Sequence, residues 1–286
     1  MRILLTGAGG LVGRPLVRRL ASRHEVVALR HADLDVTDAA LTAKAVAQAQ
    51  PDAVVHLAAW TDVDGCERDP DRATRVNGDG TRHVAEACRS AGAPLHYVST
   101  DYVFDGTKAG PWVETDEPHP LSAYGRSKLA GEEHVRGRAA RWTIVRSQSI
   151  YGAGKKSFVD SVLARAASGG ELSVVTDQRV SPTWAEDLAG AIALLVQTGA
   201  SGVYHVANAG SCTWHECARA ALDIAGHPSV PIREIRAADL ARPAPRPANS
   251  AFDCSKFERD TGASLRPWRA ALAAYLATCR AGKEAS

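Results

Sequence analysis

No stretch of this 286-residue chain is apolar over the length needed to cross a bilayer, and no run of lysine and arginine is dense enough to follow a nucleic-acid backbone. These two absences set aside membrane and nucleic acid as partners. The 34 basic and 32 acidic residues are interspersed, and a formal charge of +2 selects no charged macromolecule. The six cysteines (Cys66, Cys88, Cys212, Cys217, Cys254 and Cys279) never fall at C-x-x-C spacing. Cys212 and Cys217 also lack a second ligand pair nearby, so the expectation is free thiols in a reducing compartment. The chain starts directly on a strand-like run with no secretory leader, which makes a cytoplasmic protein the expectation. Internal repeats and low-complexity tracts are missing too.

What is present is the composition of an ordinary globular protein, 45% hydrophobic and 23% charged, long enough to bury a core without disulfide or metal. Short β-branched runs at Arg2–Thr6, Glu25–Leu29, Ala53–Ala58, Leu95–Thr100 and Trp142–Arg146 alternate with helical patterns at Leu11–Ser22, Asp38–Gln48, Asp71–Ala91 and Ala123–Arg136. Such alternation predicts right-handed βαβ units, an α/β fold with a doubly wound parallel sheet of Rossmann type. After about residue 150 the rhythm loosens. Helices are expected around Phe158–Ser168, Trp184–Gln197 and Thr213–Ala225, a strand at Val203–Val206, and a last helix near Trp268–Cys279. The chain therefore divides into a dinucleotide-binding domain over 1–150 and, over 151–286, a mainly substrate-binding lobe with some elements returning to the sheet.

Gly7, Gly10 and Gly13 form a G-x-x-G-x-x-G set, with Leu11 and Val12 between the last two, where the first strand meets the first helix. Glycine serves the tight turn, the approach of backbone to pyrophosphate, and close helix–strand packing, while the helix N-terminus offers N–H groups to phosphate. In isolation a flexible turn would look the same; its position at the strand-to-helix junction makes it a cofactor site. The second strand ends at Arg30, where an NAD site places an acid, and a guanidinium suits the 2′-phosphate of NADPH. A solvent-facing Arg30 is the alternative, and NADH the alternative cofactor. Ala58 and Ala59, small residues ending the third strand, let the cofactor lie against it.

Tyr124-Gly125-Arg126-Ser127-Lys128 puts a phenol and an ammonium four apart on one helix face. A free phenol has a pKa near 10, and a neighbouring ammonium is expected to lower it towards the working range. On these grounds Tyr124 is the expected proton donor and Lys128 its activator. Thr100, at the carboxyl end of the fourth strand, is the third catalytic candidate, its hydroxyl donating to a substrate carbonyl. Tyr102 and Tyr151 have no lysine one turn on and are expected to pack or line the pocket.

Gly7, Gly10 and Gly13, the run Ser99-Thr100-Asp101-Tyr102-Val103-Phe104-Asp105-Gly106, and Tyr124 with Lys128 together resemble extended short-chain dehydrogenases, and more narrowly dTDP-4-dehydrorhamnose reductases. The similarity runs nearly end to end, through Ala58-Ala59-Trp60-Thr61, Lys128-Leu129-Ala130-Gly131-Glu132 and the late Arg246-Pro247-x-Asn249-Ser250. It implies reduction of the 4-keto group of a dTDP-linked deoxysugar by NADPH. By the same resemblance Asp35 and Val36 would hold the adenine, Asp101 would join Thr100 on the sugar, and Lys128 would hold the nicotinamide ribose. Members of the family often form dimers, some with interfacial Mg2+; no acidic cluster for that ion stands out here, so no metal is expected. Where the family has Arg-Thr-Ser-Trp, this chain has Arg146-Ser147-Gln148-Ser149, so Ser149 replaces a tryptophan that packs on the sugar. The asparagine usual before Phe158 is also missing.

The leading expectation is an NADPH-dependent 4-ketoreductase acting on a nucleotide sugar, with a homodimer as the expected assembly. One alternative is a sibling reductase of a specialised pathway, acting on another keto-sugar or a non-nucleotide carbonyl compound. The other is a non-catalytic NADP-binding regulatory subunit, as in relatives attached to methionine adenosyltransferase; the joint presence of Thr100, Tyr124 and Lys128 argues against it.

Overall fold

Alternate residues of the apolar runs face opposite ways, and both faces of the resulting sheet are covered. The computed structural model describes residues 1–284. Strands β1 (Arg2–Thr6), β2 (Glu25–Leu29), β3 (Ala53–His56), β4 (Leu95–Thr100), β5 (Trp142–Ser147) and β6 (Gly202–His205) form one sheet ordered β2-β1-β3-β4-β5-β6. All neighbours in it are parallel. Ile3, Leu5, Val55 and Val145 pack against Leu16 and Leu20 of helix Gly13–Ala21 and against Leu188 and Ile192 of helix Ala185–Thr198. Leu4, Val54, Tyr97 and Ile144 pack the other way, on Val46, Val84 and Val135 from three further helices. Strand order reverses between β1 and β3, which opens a crevice at their carboxyl ends.

Two expected elements come out differently. The third strand ends at His56 rather than Ala58, because beyond the Leu57 N–H bond to Thr6 O (3.2 Å) the chain leaves the sheet for the crevice. The helix expected over Asp71–Ala91 divides into Pro70–Ala73, a π-helical turn Thr74–Asp79 and Gly80–Ala91. The cause sits in the turn. Asn77 is fully buried, its amide bracketing the Trp60 backbone (2.8 and 3.0 Å) and donating to Ser127 Oγ at 3.0 Å. The wider turn lets that side chain point inward without leaving the helix.

From the second half, helix Ala185–Thr198 and β6 return to the main sheet. The remainder builds a separate cluster, with Leu172–Val175 pairing in parallel with Ile232–Ile235 beside helices Phe158–Ala167 and Trp214–Ala225. Helix Trp268–Glu284 closes that side.

Helix Ala123–Arg138 is started by Ser122, whose hydroxyl accepts from the Gly125 N–H. It lies tight on the sheet: a methyl at Gly131 would stand 2.8 Å from Asn77 O and against the Tyr97 hydroxyl. Its Glu132 carboxylate accepts from Arg146 Nε (2.9 Å) and Nη2 (2.7 Å) at the end of β5, and from Arg136 at 2.8 Å. Burial alone would raise the Glu132 pKa, but the hydrogen bonds and charge of Arg146 overcome it and hold the group ionised. Deleting one partner leaves a buried charge with nothing to meet it. Glu132→Ala is expected to cost about 3–5 kcal/mol in urea unfolding; a loss below about 1 kcal/mol would show that the pair does not fasten the helix.

Candidate active site

The glycine turn after β1 is built for close approach. Gly7 has φ of +72°, and a methyl there would lie 2.7 Å from Ala58 N; one at Gly13 would press on the Ala8 carbonyl carbon at 2.8 Å. Gly10 N–H closes the turn on Gly7 O at 3.0 Å. Gly7, Gly10, Leu11, Val12 and Gly13 line a cavity of about 430 Å³ whose other walls include Ala59, Thr100, Tyr124 and Lys128. Ala58 stands behind Gly7. This narrow cradle ahead of a helix start fits a dinucleotide pyrophosphate.

Arg30, Asp35 and Val36 lie outside that cavity wall. Arg30 is exposed, and its side chain runs over Gly9, where a methyl would meet its Cγ at 3.3 Å. Asp33 turns back on it, its Oδ2 accepting from Arg30 N (2.9 Å) and Nε (3.2 Å), and those bonds hold the Asp33 carboxyl below its usual range. An acid three residues on therefore shares the end of β2 with Arg30. Asp35 is exposed and accepts from Thr37 N–H and Oγ1, at 3.0 and 2.8 Å, while Val36 is buried below it.

Tyr124 and Lys128 are both buried and both line the cavity. Their acid–base balance differs from the expectation drawn from their spacing. Burial pushes the Tyr124 phenol well above its ordinary value, with the Thr100 hydroxyl opposing. Burial also pulls Lys128 down to about 7, with Glu132 opposing. The ammonium donates to Val98 O at 2.8 Å and lies 4.1 Å from the Tyr97 ring centre, so in this arrangement it does not lower the Tyr124 pKa. Thr100 also departs from the expected free donor. Its hydroxyl donates to Asp101 Oδ1 (3.0 Å) and accepts from Tyr102 N–H (3.2 Å). Burial raises Asp101 to about 6, against hydrogen bonds from Ser250 and Thr100. Tyr102 meets Tyr124 edge-on at 5.5 Å, and Tyr151 packs on Tyr275 away from the cavity.

Ser149 has a left-handed backbone, φ +47°, and stands where the first cavity joins a second of about 620 Å³. Lys156, Phe158, Trp214, Arg242 and Arg246 line this second space. Asp64 accepts two bonds from Arg246 (2.7 and 2.8 Å), which hold its carboxyl at about 2. Among the described residues no carboxylate pairs with Lys156 or Arg242. Neither Trp112, stacked on Phe104 at 4.3 Å, nor Trp184 reaches either cavity, so neither stands in for the missing aromatic. Among the described residues there is no group of three or more His, Cys, Asp or Glu able to hold a metal.

Residues 1–281 match the family described as RmlD substrate binding domain. The chain belongs to that family. It is 41% identical to a dTDP-4-dehydrorhamnose reductase of Streptomyces griseus, over 99% of this chain and 96% of that protein. It is 42% identical to a probable dTDP-4,6-dihydroxy-2-methyloxan-3-one 4-ketoreductase of Streptomyces antibioticus, over 95% of this chain and 93% of that one. The solved dTDP-4-dehydrorhamnose reductase of Bacillus anthracis in complex with NADP superposes with a TM-score of 0.94 at 33% identity, covering 97% of this chain and 99% of that one.

Several residues at this family site escape sequence reasoning. Asn77 reads as part of a plain helix; its neighbour Gly78 is the one local hint of a break. Gln148, buried, accepts from Ser181 N–H (2.9 Å) and donates to Ser250 O, tying β5 to two distant loops. Lys156, Trp214 and Arg242 come from three separate segments and carry no local signal.

A buried amine that favours its neutral form has a signed effect on stability. With Lys128 near 7 folded and near 10.5 unfolded, the unfolded chain holds more protons in that window, so stability rises as pH rises through it. The penalty is full below about 7. Lys128→Met should therefore melt above wild type at pH 6, with the gap closing as pH is raised towards 10. A gap that does not change with pH would show that the lysine is not destabilised by burial.

Proposed function

We propose that this chain is an NADPH-dependent reductase of the 4-keto group of a dTDP-linked deoxysugar. The observation that carries it is the shared wall: the Gly7–Gly13 cradle, Tyr124 and Lys128 enclose one cavity, with a second opening beyond Asp101 and Ser149. The named activities of the Streptomyces relatives and the NADP of the Bacillus anthracis structure support the substrate and the cofactor. NADH remains the alternative cofactor, since Asp33 shares the end of β2 with Arg30. In this reading residues 1–150 bind cofactor and 151–286 mainly bind substrate. The family resemblance supports a homodimer, and in this reading the enzyme needs no metal and works in the cytoplasm.

Bound NADPH supplies the hydride. Tyr124 gives its phenolic proton to the carbonyl oxygen as negative charge grows there, and burial keeps that proton in place at neutral pH until it is needed. Lys128, one turn on, can meet the phenolate only once its Nζ turns from Val98 O. Thr100 donates to the same oxygen once it turns from Asp101, leaving the Asp101 carboxyl to accept from a sugar hydroxyl. Lys156 and Arg242, without carboxylate partners among the described residues, suit the substrate diphosphate, and Arg246 is held beside them by Asp64.

The sibling-reductase reading keeps weight because of Ser149. An aromatic there would contribute apolar contact to a sugar face, and no nearby tryptophan replaces it. NADPH oxidation should be followed with dTDP-4-dehydrorhamnose and with other dTDP-linked 4-keto-6-deoxy sugars. The expected result is efficient turnover of another member of the set, poor turnover of dTDP-4-dehydrorhamnose, and a gain of roughly tenfold in kcat/KM for that compound in Ser149→Trp, the scale of about 1.4 kcal/mol of contact. Efficient wild-type turnover of dTDP-4-dehydrorhamnose, unimproved by tryptophan, would refute the role of Ser149. No oxidation with any of them would refute the reductase.

A further inference from the structure

Ser147 closes β5 and is 2% exposed, yet its hydroxyl has no hydrogen-bond partner among the described residues. A buried hydroxyl left unpaired is costly, and such groups in native proteins call for an explanation. The β4–β5 register sets Ser147 directly beside Thr100, and in a parallel ladder such partners point to the same face, about 4.8 Å apart. Thr100 is already engaged, donating to Asp101 and accepting from Tyr102. Ser147 is the unengaged hydroxyl of the two.

Its position narrows what it can meet. Ser147 lines the first cavity together with Gly7, Val98 and Lys128; it does not line the second, which shares Asp101, Ser149 and Lys156 with the first and adds Arg242 and Arg246. The strand residues on its face, Val98 and Val145, are apolar. A group bound only among Arg242 and Arg246 is thus a poor partner. A flat group with both a donor and an acceptor, resting on an apolar wall at the inner end of the dinucleotide site, is a good one. A serine hydroxyl can serve either end of it.

We infer that the Ser147 hydroxyl hydrogen-bonds the nicotinamide carboxamide of the cofactor and so fixes the ring beside Thr100 and Tyr124. This rests on the reductase reading above. The test is calorimetric affinity for two ligands, NADPH and 2′-phospho-ADP-ribose, which keeps every part of the cofactor except the nicotinamide. Ser147→Ala should weaken NADPH by roughly five- to tenfold, the scale of one net hydrogen bond, and leave 2′-phospho-ADP-ribose unchanged. Ser147→Thr, which keeps the hydroxyl, should hold NADPH near wild-type affinity. Equal weakening of both ligands, or no weakening of either, would overturn the inference. Retained binding of the fragment reports a folded variant. A wild-type protein that binds neither ligand would overturn the cofactor reading itself, a separate result.

Discussion

Arg146 at the end of β5 grips Glu132 on the helix that carries Tyr124 and Lys128, and water reaches neither charge. Two bonds from one guanidinium fix the helix in rotation as well as in distance. Glu132 is one turn past Lys128, and Lys128 one turn past Tyr124, so fixing the first sets the other two. Gly131 lets the same helix sit against Tyr97 and Asn77, and Asn77 in turn holds Trp60 and Ser127. Without these contacts the phenol would have no defined place at the crevice between β1 and β3.

Burial governs the chemistry at that crevice. It raises Tyr124 and lowers Lys128, so each group favours its neutral form. The same force raises Asp101 to about 6 and drops His56, held between Thr6 and Thr81, to about 3. A protonated phenol suits proton donation to a growing oxyanion. An amine near 7 changes charge within the working range, so a modest change of surroundings can move it.

Much of this was legible from residues alone because local rules dominate there. Apolar runs of four to six residues with turn signals gave the strands, and the glycine spacing gave the cradle. The i, i+4 rule put Tyr124 and Lys128 together. Where expectation and structure part, the cause is a long-range contact or a local turn geometry. Asn77 breaks a helix because Trp60 and Ser127 come to it from elsewhere in the chain. Thr100 is tied up by its own neighbour Asp101, and Asp33 folds back on Arg30; both depend on turn geometry that spacing does not encode. The second cavity draws Lys156, Trp214 and Arg242 from segments far apart in sequence, which no local pattern links. Helix Ala185–Thr198 shows the same limit: its packing on helix Gly13–Ala21 is a property of the sheet face they share.

The measurement that bears most directly on the function is the behaviour of Tyr124→Phe in single-turnover reduction of a dTDP-linked 4-keto sugar, with NADPH affinity measured alongside. Removing one oxygen from a packed ring should leave the fold and the cofactor cradle intact, with NADPH affinity within about twofold of wild type. The rate should fall by a factor of about 10² to 10⁴, the usual contribution of a positioned acid. A variant that reduces the sugar at nearly the wild-type rate would contradict the assignment of Tyr124 and the mechanism built on it.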